Sequence, residues 1–364
     1  VLNDLGNLKE AEIVIRKAIQ INKKNSAAYS NLGGILKELG KLKEAEIVIR
    51  KAIQINPYLA DAHYNLGYVL KELGNLREAE VSTRKAIEIN PNLPNAHMSL
   101  GFILSDLGKL EDAELSTLKA IKLNPKDLGL CYQNLSLLYF AKGNKNLALE
   151  NIKKAVSIDP HSKNNQLLLS IFKNNKHLKN EENYSSYPVT LNKQVDPELI
   201  NALYKIKALD LNKFSDPSFG NARGSDYKLF DDNEIITQKL KEDLIVITKG
   251  IVQKNVFFRD SFFTILGGES TINKHNHLGR IDKFKNLNLW KQKYSLVYYL
   301  SIGDQNCRHP GILKFYKDQH DENPCEEILP TEGMIVIFPA DRYHSVKYNG
   351  TRDRIIIGVN FYSI

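Results

Sequence analysis

Two patterns of hydrophobic and polar positions divide this chain. From residue 1 to about residue 174, apolar residues recur three and four positions apart, which is the spacing of amphipathic α-helices. Residues 175–187 are mostly polar and are predicted to form a linker. From residue 188 to residue 364, helical segments give way to short β-branched and aromatic runs bounded by Gly, Pro, Asn and Asp, which predict strands. The patterns therefore predict two domains, a helical one at 1–174 and a mixed one at 188–364.

The second predicted domain begins with a short strand near Val189 and a helix at about 197–208. Irregular chain to residue 232 then precedes a second helix at about 234–254. Seven β-rich runs follow, at 261–266, 271–276, 295–302, 312–316, 334–338, 344–348 and 354–362. Helices followed by seven or eight short strands are typical of a jelly roll with supporting helices, also called a double-stranded β-helix. The predicted fold class is therefore a helical array followed by such a β domain.

The helical half repeats itself every 34 residues. Alanine stands at positions 11, 45, 79 and 113, glycine stands at 6, 40, 74 and 108, and proline closes the complete units at 57, 91, 125 and 160. A fifth unit, one residue out of step, carries Gly143 and Ala148. Small residues let two helices approach closely, and proline ends a helix without leaving an unpaired N–H group. One unit cannot bury its apolar face alone, so the units are expected to stack.

These units resemble the tetratricopeptide repeat over about residues 1–161. The resemblance implies an α-solenoid of helix pairs whose concave groove receives a peptide or an extended segment. Residues 162–174 are predicted to be a helix that covers the last unit. His63 and His97 occupy an aromatic position of the repeat and are predicted to be structural. A protein or peptide partner in the groove is the favoured interpretation, and a spacer or a self-association surface is the alternative.

Composition narrows the set of partners. The formal net charge is +8, but the cations are scattered among acidic residues along the helices, which is typical of a solvated face. Aromatic and basic residues do not alternate as in proteins that stack single-stranded bases, so nucleic acid is not an expected partner. No run of 18 apolar residues occurs, so no membrane span is expected. The oligomeric state is left open.

The cysteines and the first residue bear on the location of the protein. Cys131, Cys307 and Cys325 have no paired spacing and favour a reducing compartment, so the expected location is the cytoplasm. The chain begins at Val1 inside a repeat and without a methionine, so we expect the array to be truncated at its N-terminal side. The number of upstream repeats and any targeting signal there are left open.

Three histidines predict a metal site. His275 and His277 stand one residue apart in a predicted strand, where residues i and i+2 project from the same face, so both imidazoles can reach one point. His344 follows at the start of the strand after Phe338-Pro339. Two ligands from one strand end and a third from a distant strand are what a facial metal site in a jelly roll requires.

Arg354 follows His344 by ten residues and predicts a carboxylate site, because a guanidinium group can hold a carboxylate by a bidentate, charge-assisted pair. Asn349-Gly350 predicts a hairpin between the two strands. A two-residue loop would set His344 opposite Ile355 and send Arg354 to the other face. A three-residue loop with a left-handed Gly350 would bring Arg354 to the metal side, and the sequence does not choose between the two.

Several motifs resemble the C-terminal half of the Fe(II)- and 2-oxoglutarate-dependent oxygenases. They are Phe338-Pro339, Tyr343-His344-Ser345-Val346 and Arg354-Ile355, with Asn360 six residues after Arg354. The runs 295–300 and 311–315 match the strand pair that follows the first metal ligands in that family. The resemblance covers about residues 184–364. It is closest to bacterial members of unassigned substrate and more distant from prolyl hydroxylases.

This resemblance implies a hydroxylase that holds Fe(II) through His275, His277 and His344. It also implies that Arg354 anchors the distal carboxylate of the cosubstrate 2-oxoglutarate and that the Tyr299 hydroxyl donates to the same carboxylate. Asn360 is assigned to the cosubstrate site on the same ground. No catalytic side chain beyond the metal ligands is expected, because the cofactor supplies the chemistry.

One position departs from the family's pattern. Most members have His-x-Asp or His-x-Glu where this chain has His275-x-His277, and exchanging a carboxylate for an imidazole leaves the iron with one more positive charge. Asp282, in a predicted loop, is an alternative source of that carboxylate. His309 and His320 also lie in predicted loops and are not expected to be ligands.

Two other functions stay open at this point. The chain can be a non-catalytic repeat scaffold that carries a degenerate jelly roll, an interpretation that the His-x-His pair favours. It can also be a cupin-like metal-dependent sugar isomerase or epimerase, since cupins use His-x-His and a distant histidine as well. The second interpretation leaves Arg354 without a role.

Overall fold

The computed structural model describes residues 2–173, 188–206, 208–211, 221–231, 234–279, 281–283 and 287–364. The chain divides into two compact units, Val1–Phe172 and Lys173–Ile364. The predicted linker at 175–187 lies outside the described residues. Across those described ranges, none of the helices is both long and apolar enough to cross a membrane.

The first unit is a helical array. Its helices are α1 (Leu2–Ile21), α2 (Ser26–Glu38), α3 (Leu42–Ile55), α4 (Ala60–Glu72), α5 (Leu76–Ile89), α6 (Pro94–Asp106), α7 (Leu110–Lys122), α8 (Leu128–Ala141), α9 (Lys145–Ile158) and α10 (Lys163–Lys173). Helix α2 packs against α3, α4 against α5, α6 against α7 and α8 against α9, and each pair packs against the next. The helix predicted to cover the last unit is α10, where Phe172 stacks on Phe140 of α8 with ring centroids 4.9 Å apart.

The small residues of the repeat sit where the helices of a pair meet. Ala79 of α5 is fully buried. A Cβ atom on Gly67 of α4 would lie 2.1 Å from Thr83 Oγ1 of α5, so only glycine fits there. His63 and His97 place Nε2 2.9 Å from the carbonyl oxygens of the prolines that close the preceding units. Both histidines therefore have the structural role predicted for them.

Within the ranges that the structure describes, the second unit contains two α-helices and two antiparallel sheets. The helices are α11 (Pro197–Lys205) and α12 (Ile235–Val252), and the strands are β1 (Val189–Asn192), β2 (Leu209–Asp210), β3 (Arg223–Gly224), β4 (Val256–Leu266), β5 (Ser270–His275), β6 (Lys293–Ser301), β7 (Leu313–Tyr316), β8 (Glu326–Ile328), β9 (Met334–Pro339), β10 (Tyr343–Tyr348) and β11 (Arg354–Ser363). Among the described residues, the larger sheet has the order β1-β9-β6-β11-β4-β3-β2 and the smaller sheet the order β5-β10-β7-β8. Each predicted β-rich run forms a strand, whereas β2, β3 and β8 were not predicted because they are only two or three residues long.

Alternation along β11 assigns the two faces of the larger sheet to different cores. Ile355 and Ile357 pack with the buried leucines of α11 and α12. Ile356, on the opposite face, packs in a cluster with Phe315 of β7 and Val346 of β10, which belong to the smaller sheet. The helices therefore cover one face of the larger sheet, and the smaller sheet covers the other.

The predicted hairpin between His344 and Arg354 is wrong. Strand β10 lies in the smaller sheet and β11 in the larger one, so the chain crosses between sheets through 349–353. Strand β10 pairs with β5 and β7, and β11 pairs with β4 and β6. Neither loop length determines the face of Arg354. Alternation along β11 puts Arg354 on the face of Ile356, toward the smaller sheet.

Candidate metal centre and carboxylate site

The three predicted metal-site histidines come together in the second unit. The nearest ring nitrogens of His275, His277 and His344 all lie within 4.8 Å of one another. His277 Nε2 is 3.3 Å from His344 Nε2, and the ring centroids of His275 and His344 are 4.3 Å apart. His344 is buried, and the other two are half-buried. This is the only group of metal-ligating side chains with such spacing in the parts of the chain that the structure describes.

Sheet pairing brings together two of the three histidines. His275 is the last residue of β5 and is the direct partner of His344 on β10. His277 lies beyond the end of β5, so the prediction that both clustered histidines share one strand holds only for His275. The backbone N–H of His277 instead donates to Ala340 O at 2.8 Å. A loop, rather than the pleat of a strand, therefore turns the third imidazole toward the others.

The surroundings of the histidines keep the imidazoles neutral. Burial, with a smaller contribution from the neighbouring His275, lowers the pKa of His344 to about 3. Burial also lowers the pKa of His275. Burial holds the pKa of His277 well below its usual range, and repulsion from a positive charge on His344 or His275 lowers it further. Neutral imidazoles keep the lone pairs that a metal ion needs.

Two backbone carbonyls orient the rings. His275 Nδ1 lies 2.8 Å from Asn273 O, and His344 Nδ1 lies 3.2 Å from Arg342 O. A carbonyl oxygen can only accept, so each Nδ1 carries the proton and donates. The lone pair of each ring is then on Nε2, which leaves two Nε2 atoms and the His277 ring facing a common point. Metal-binding histidines are commonly held in this way.

Arg354 is fully buried on the face of the larger sheet that packs against the smaller sheet. Its Nη1 donates to Pro310 O at 3.0 Å, and its guanidinium carbon lies 4.9 Å from the centre of the Tyr299 ring. Its Nε and Nη2 atoms have no hydrogen-bond partner. Burial lowers the pKa of Arg354, an effect that Tyr299 partly offsets. One edge of the guanidinium is thus held by protein, while the other edge has two buried donors to offer.

Gly311 makes room for this arginine. A Cβ atom at position 311 would lie 1.5 Å from Arg354 Nη1, and the backbone there has φ +78°, a conformation that favours glycine. The turn at Pro310 and Gly311 therefore cradles the guanidinium. Nothing in the local sequence marks Gly311 as a site residue, since its contact with Arg354 joins two distant parts of the chain.

Asn360, the third residue predicted for the cosubstrate site, lies apart from Arg354. It shares the inner face of β11, but six residues along a strand correspond to roughly 20 Å. Asn360 Oδ1 accepts a hydrogen bond from Ser295 Oγ at 2.8 Å. The structure therefore places Tyr299, but not Asn360, beside the guanidinium.

Asp282 does not join the histidines. Its two carboxylate oxygens accept from Lys293 Nζ at 2.9 Å, from the Tyr362 hydroxyl at 2.6 Å and from Gly279 N at 2.6 Å. The carboxylate is fully buried in this network, so it is not a substitute metal ligand. The local sequence does not mark Lys293 as a buried residue, because a lysine at the start of a strand is usually solvated.

His309 and His320 lie in loops, as predicted. Neither belongs to the group of histidines that could hold a metal.

Comparison with known proteins identifies the first unit only. Models described as "Tetratricopeptide repeat" match residues 60–93 and, in a second version, residues 1–25, 94–127 and 131–162, and a model described as "TPR repeat" matches residues 33–74. All of these residues lie in the helical array. No curated protein sequence matches the chain significantly.

Solved structures of other repeat proteins resemble part of the chain. YrrB, described as a TPR protein with an unusual peptide-binding site, has 26% identity and a TM-score of 0.38, and the match covers 46% of this chain and 85% of that one. TTC0263, a thermophilic TPR protein in Thermus thermophilus, has 21% identity and a TM-score of 0.40, covering 47% and 93%. MamA from Desulfovibrio magneticus RS-1 has 22% identity and a TM-score of 0.38, covering 43% and 88%.

Proposed function

We propose that this chain, whose first unit is an array of tetratricopeptide repeats, is an Fe(II)- and 2-oxoglutarate-dependent oxygenase that uses the array to bind a protein or peptide. One observation carries the proposal. Three imidazoles, one buried and two half-buried, come together at the end of β5 in the smaller sheet, and a fully buried arginine with two unpartnered donors lies on the face of the larger sheet that packs against the smaller one. A metal ion and a carboxylate would complete the two groups.

The strand order supports a double-stranded β-helix. From β4 to β11, strands β4, β6, β9 and β11 fall in the larger sheet, and strands β5, β7, β8 and β10 fall in the smaller one. Successive strands thus cross from one sheet to the other except between β7 and β8, which is a winding expected of a jelly roll. Strands β1, β2 and β3 extend the larger sheet at its two edges.

The histidine cluster fits a divalent transition metal. Imidazole donors suit Fe, Zn, Ni and Cu, whereas Mg and Ca prefer oxygen donors. Three neutral ligands do not reduce the charge of a divalent ion, so the site would attract an anion. His275, His277 and His344 would hold the metal and leave other coordination positions open for the keto acid end of the cosubstrate and for O₂.

Arg354 fits the far end of a dicarboxylate. Its free Nε and Nη2 donors form the edge of the guanidinium that binds a carboxylate through two parallel hydrogen bonds. Pro310 O and the Tyr299 ring hold the opposite edge and one face, so the arginine is oriented before the ligand arrives. Arg354 would therefore fix one end of 2-oxoglutarate while the metal binds the other.

Iron held by the three histidines would supply the oxidising chemistry, in which 2-oxoglutarate, O₂ and a C–H bond of the substrate would give succinate, CO₂ and the hydroxylated substrate. One oxygen atom of O₂ would enter succinate and the other would enter the substrate. The protein's own residues bind, orient and exclude water. Phe338 and Phe315 lie 4.9 Å and 6.3 Å from the His344 ring between centroids, and these apolar neighbours keep that side of the site dry.

A metal-dependent isomerase is the second candidate, because the donor set contains imidazoles and no carboxylate. That function gives no role to the buried donors of Arg354. The oxygenase proposal explains both groups, and it makes a product, succinate, that an isomerase does not.

The test uses the full chain with Fe(II) and 2-oxoglutarate. We expect both to bind without oxygen, and we expect succinate to form slowly in air without a hydroxylation substrate. His344→Ala should abolish metal binding, whereas Arg354→Ala should retain the metal and lose 2-oxoglutarate. Metal binding without any 2-oxoglutarate binding would favour the isomerase, and failure of both would leave a repeat scaffold.

A further inference from the structure

A buried ion pair lies next to the candidate metal centre and has no role in the function proposed above. Lys293 Nζ is 2.9 Å from Asp282 Oδ2, and the two side chains are 1% and 0% exposed. Tyr362 donates its hydroxyl to the other oxygen of Asp282, and Gly279 N donates to Oδ2. Lys293 Nζ also donates to His277 O at 2.5 Å. The pair thus connects β6, β11 and the loop that carries His277.

Burial makes this pair a poor source of stability. Removing two charges from water costs several kcal/mol per ion in real proteins, and their mutual attraction often does no more than offset that cost. Apolar residues of similar size are frequently as stable or more stable. A buried pair of this kind is better explained by the position it fixes than by the free energy of folding it contributes.

His277 is the metal-site residue that most needs to be positioned. His275 and His344 lie in paired strands, so the ladder between β5 and β10 sets their places. His277 lies outside any strand, and three hydrogen bonds in a closed ring hold its backbone. His277 N donates to Ala340 O, Ala340 N donates to Lys293 O, and Lys293 Nζ donates back to His277 O.

We infer that Lys293 and Asp282 form a positioning pair that holds His277 at the metal, an inference that rests on the metal site of the proposed function. Lys293 fixes the carbonyl of His277, and Asp282 fixes the ammonium group of Lys293. Tyr362 and Gly279 in turn hold both oxygens of Asp282. None of these four residues belongs to the group of side chains that could hold the metal. Their effect on the metal acts through the backbone of His277.

Removing both charges together is the sharpest test. Lys293→Met with Asp282→Asn leaves no unpaired buried charge and keeps an acceptor oxygen for Gly279 N, so the variant should fold, but the bond to the His277 carbonyl is lost. Tyr362→Phe is the matched control, since it removes one bond to Asp282 and leaves the ion pair in place. His277→Ala supplies the spectrum of a site with two imidazoles.

The measurement is a Co(II) titration of each full-length protein without oxygen, followed by visible absorption. We expect the double variant to bind Co(II) about 10- to 100-fold more weakly than the wild type, which is typical of lost outer-shell contacts. Its spectrum should match that of His277→Ala, while Tyr362→Phe should match the wild type. Thermal unfolding by circular dichroism checks that each variant is folded.

Three results would overturn the inference in distinguishable ways. A folded double variant with the wild-type affinity and spectrum would show that His277 does not depend on the pair. A double variant that does not fold would assign the pair to folding instead of positioning. Failure of the wild type to bind Co(II) at all would remove the metal site, and with it the proposed function.

Discussion

At the scale of single residues, Arg354 and the three histidines share one property. Burial makes the charged form of each side chain unfavourable. Arg354 Nε and Nη2 have no acceptor, and the pKa of each histidine is lowered chiefly by burial. Polar groups in this state reduce the stability of the fold unless a ligand completes them. Substitutions at these positions are therefore expected to weaken ligand binding while they raise the stability of the fold without ligand.

Replacing Arg354 with methionine should separate these two effects. Each hydrogen bond to a charged group contributes about 1.5–3 kcal/mol, so losing both donors should weaken 2-oxoglutarate binding by roughly 100-fold or more. The free energy of unfolding without ligand should stay the same or rise, because the variant no longer buries an incompletely bonded cation. Calorimetric titration and urea unfolding measure the two quantities. Unchanged 2-oxoglutarate affinity would contradict the assignment of Arg354.

Gly311→Ala should disturb the same site indirectly. The added Cβ would overlap Arg354 Nη1, and the backbone at φ +78° disfavours any side chain. We expect a loss of about 1–3 kcal/mol in the free energy of unfolding, with much weaker 2-oxoglutarate binding. Gly250→Ala is the control, since a Cβ there meets no atom within 4 Å and alanine favours a helix. Equal effects of Gly311→Ala and Gly250→Ala on 2-oxoglutarate binding would contradict the role of Gly311 in making room for Arg354.

At the scale of elements, the repeat array is held by contacts that recur with its period. Lys41, next to the start of α3, donates to Glu12 of α1 at 2.8 Å, and Lys109, next to the start of α7, donates to Glu80 of α5 at 2.7 Å. Each pair joins the turn of one unit to the second helix of the unit before it. The glutamates are largely covered, with side chains 13% exposed, whereas the lysines are about half exposed. Water therefore screens these pairs in part.

Glu12 gives this contact a pH dependence. Lys41 lowers the pKa of Glu12 below its usual 4.5 by donating a hydrogen bond to the carboxylate. A lowered carboxylate pKa contributes stability above about pH 4.5 that is lost as the pH falls through the folded-state value. Glu12→Gln should cost about 0.5 kcal/mol at pH 7, and this cost should shrink as the pH falls from 4.5 toward 3. Urea unfolding of the first unit at both pH values tests this.

The control for that experiment is Glu88→Gln, because Glu88 is 68% exposed and its pair with Lys85 lies within one helix. It should change stability little at either pH. A loss at pH 7 that persists unchanged near pH 3 would mean that Glu12 acts through packing instead of charge.

At the scale of the whole molecule, the chain combines two units with separate cores. The array buries its apolar residues between helices, and the second unit buries its own on the two faces of the larger sheet. Every candidate site residue, from His275 to Asn360, belongs to the second unit. Two cores of this kind are expected to unfold in separate steps, because two-state unfolding applies to single domains.

Metal and 2-oxoglutarate should therefore stabilise one unfolding transition and leave the other unchanged. At 100 times its dissociation constant, a ligand adds about 2.7 kcal/mol, which corresponds to a rise in Tm of about 5–10 °C for a unit of this size. Calorimetry of the full chain with Fe(II) and 2-oxoglutarate, without oxygen, measures this shift. Arg354→Met should lose the part of the shift that is due to 2-oxoglutarate. A shift of both transitions together would contradict independent cores.

The sequence by itself determined the local features of this protein. The 34-residue period of alanine, glycine and proline predicted the helix pairs, since each repeat depends on contacts inside itself and with its neighbour. Short β-branched and aromatic runs bounded by Gly, Pro, Asn and Asp predicted the main strands of the second unit in the same way. His275, His277, His344 and Arg354 were recognised by residue type and spacing, which need no knowledge of pairing.

Only the tertiary structure decided what depends on contacts between distant parts of the chain. It placed β10 and β11 in different sheets where a local signal, Asn349-Gly350, had predicted a hairpin. In the structure Asn360 bonds to Ser295 and lies apart from Arg354. Asp282 pairs with Lys293 and does not join the metal site. Turn propensity and strand period act over a few residues, whereas sheet order follows from burying two faces of one sheet at once. That requirement put Arg354 in one sheet and His275 and His344 in the other, which packs against it.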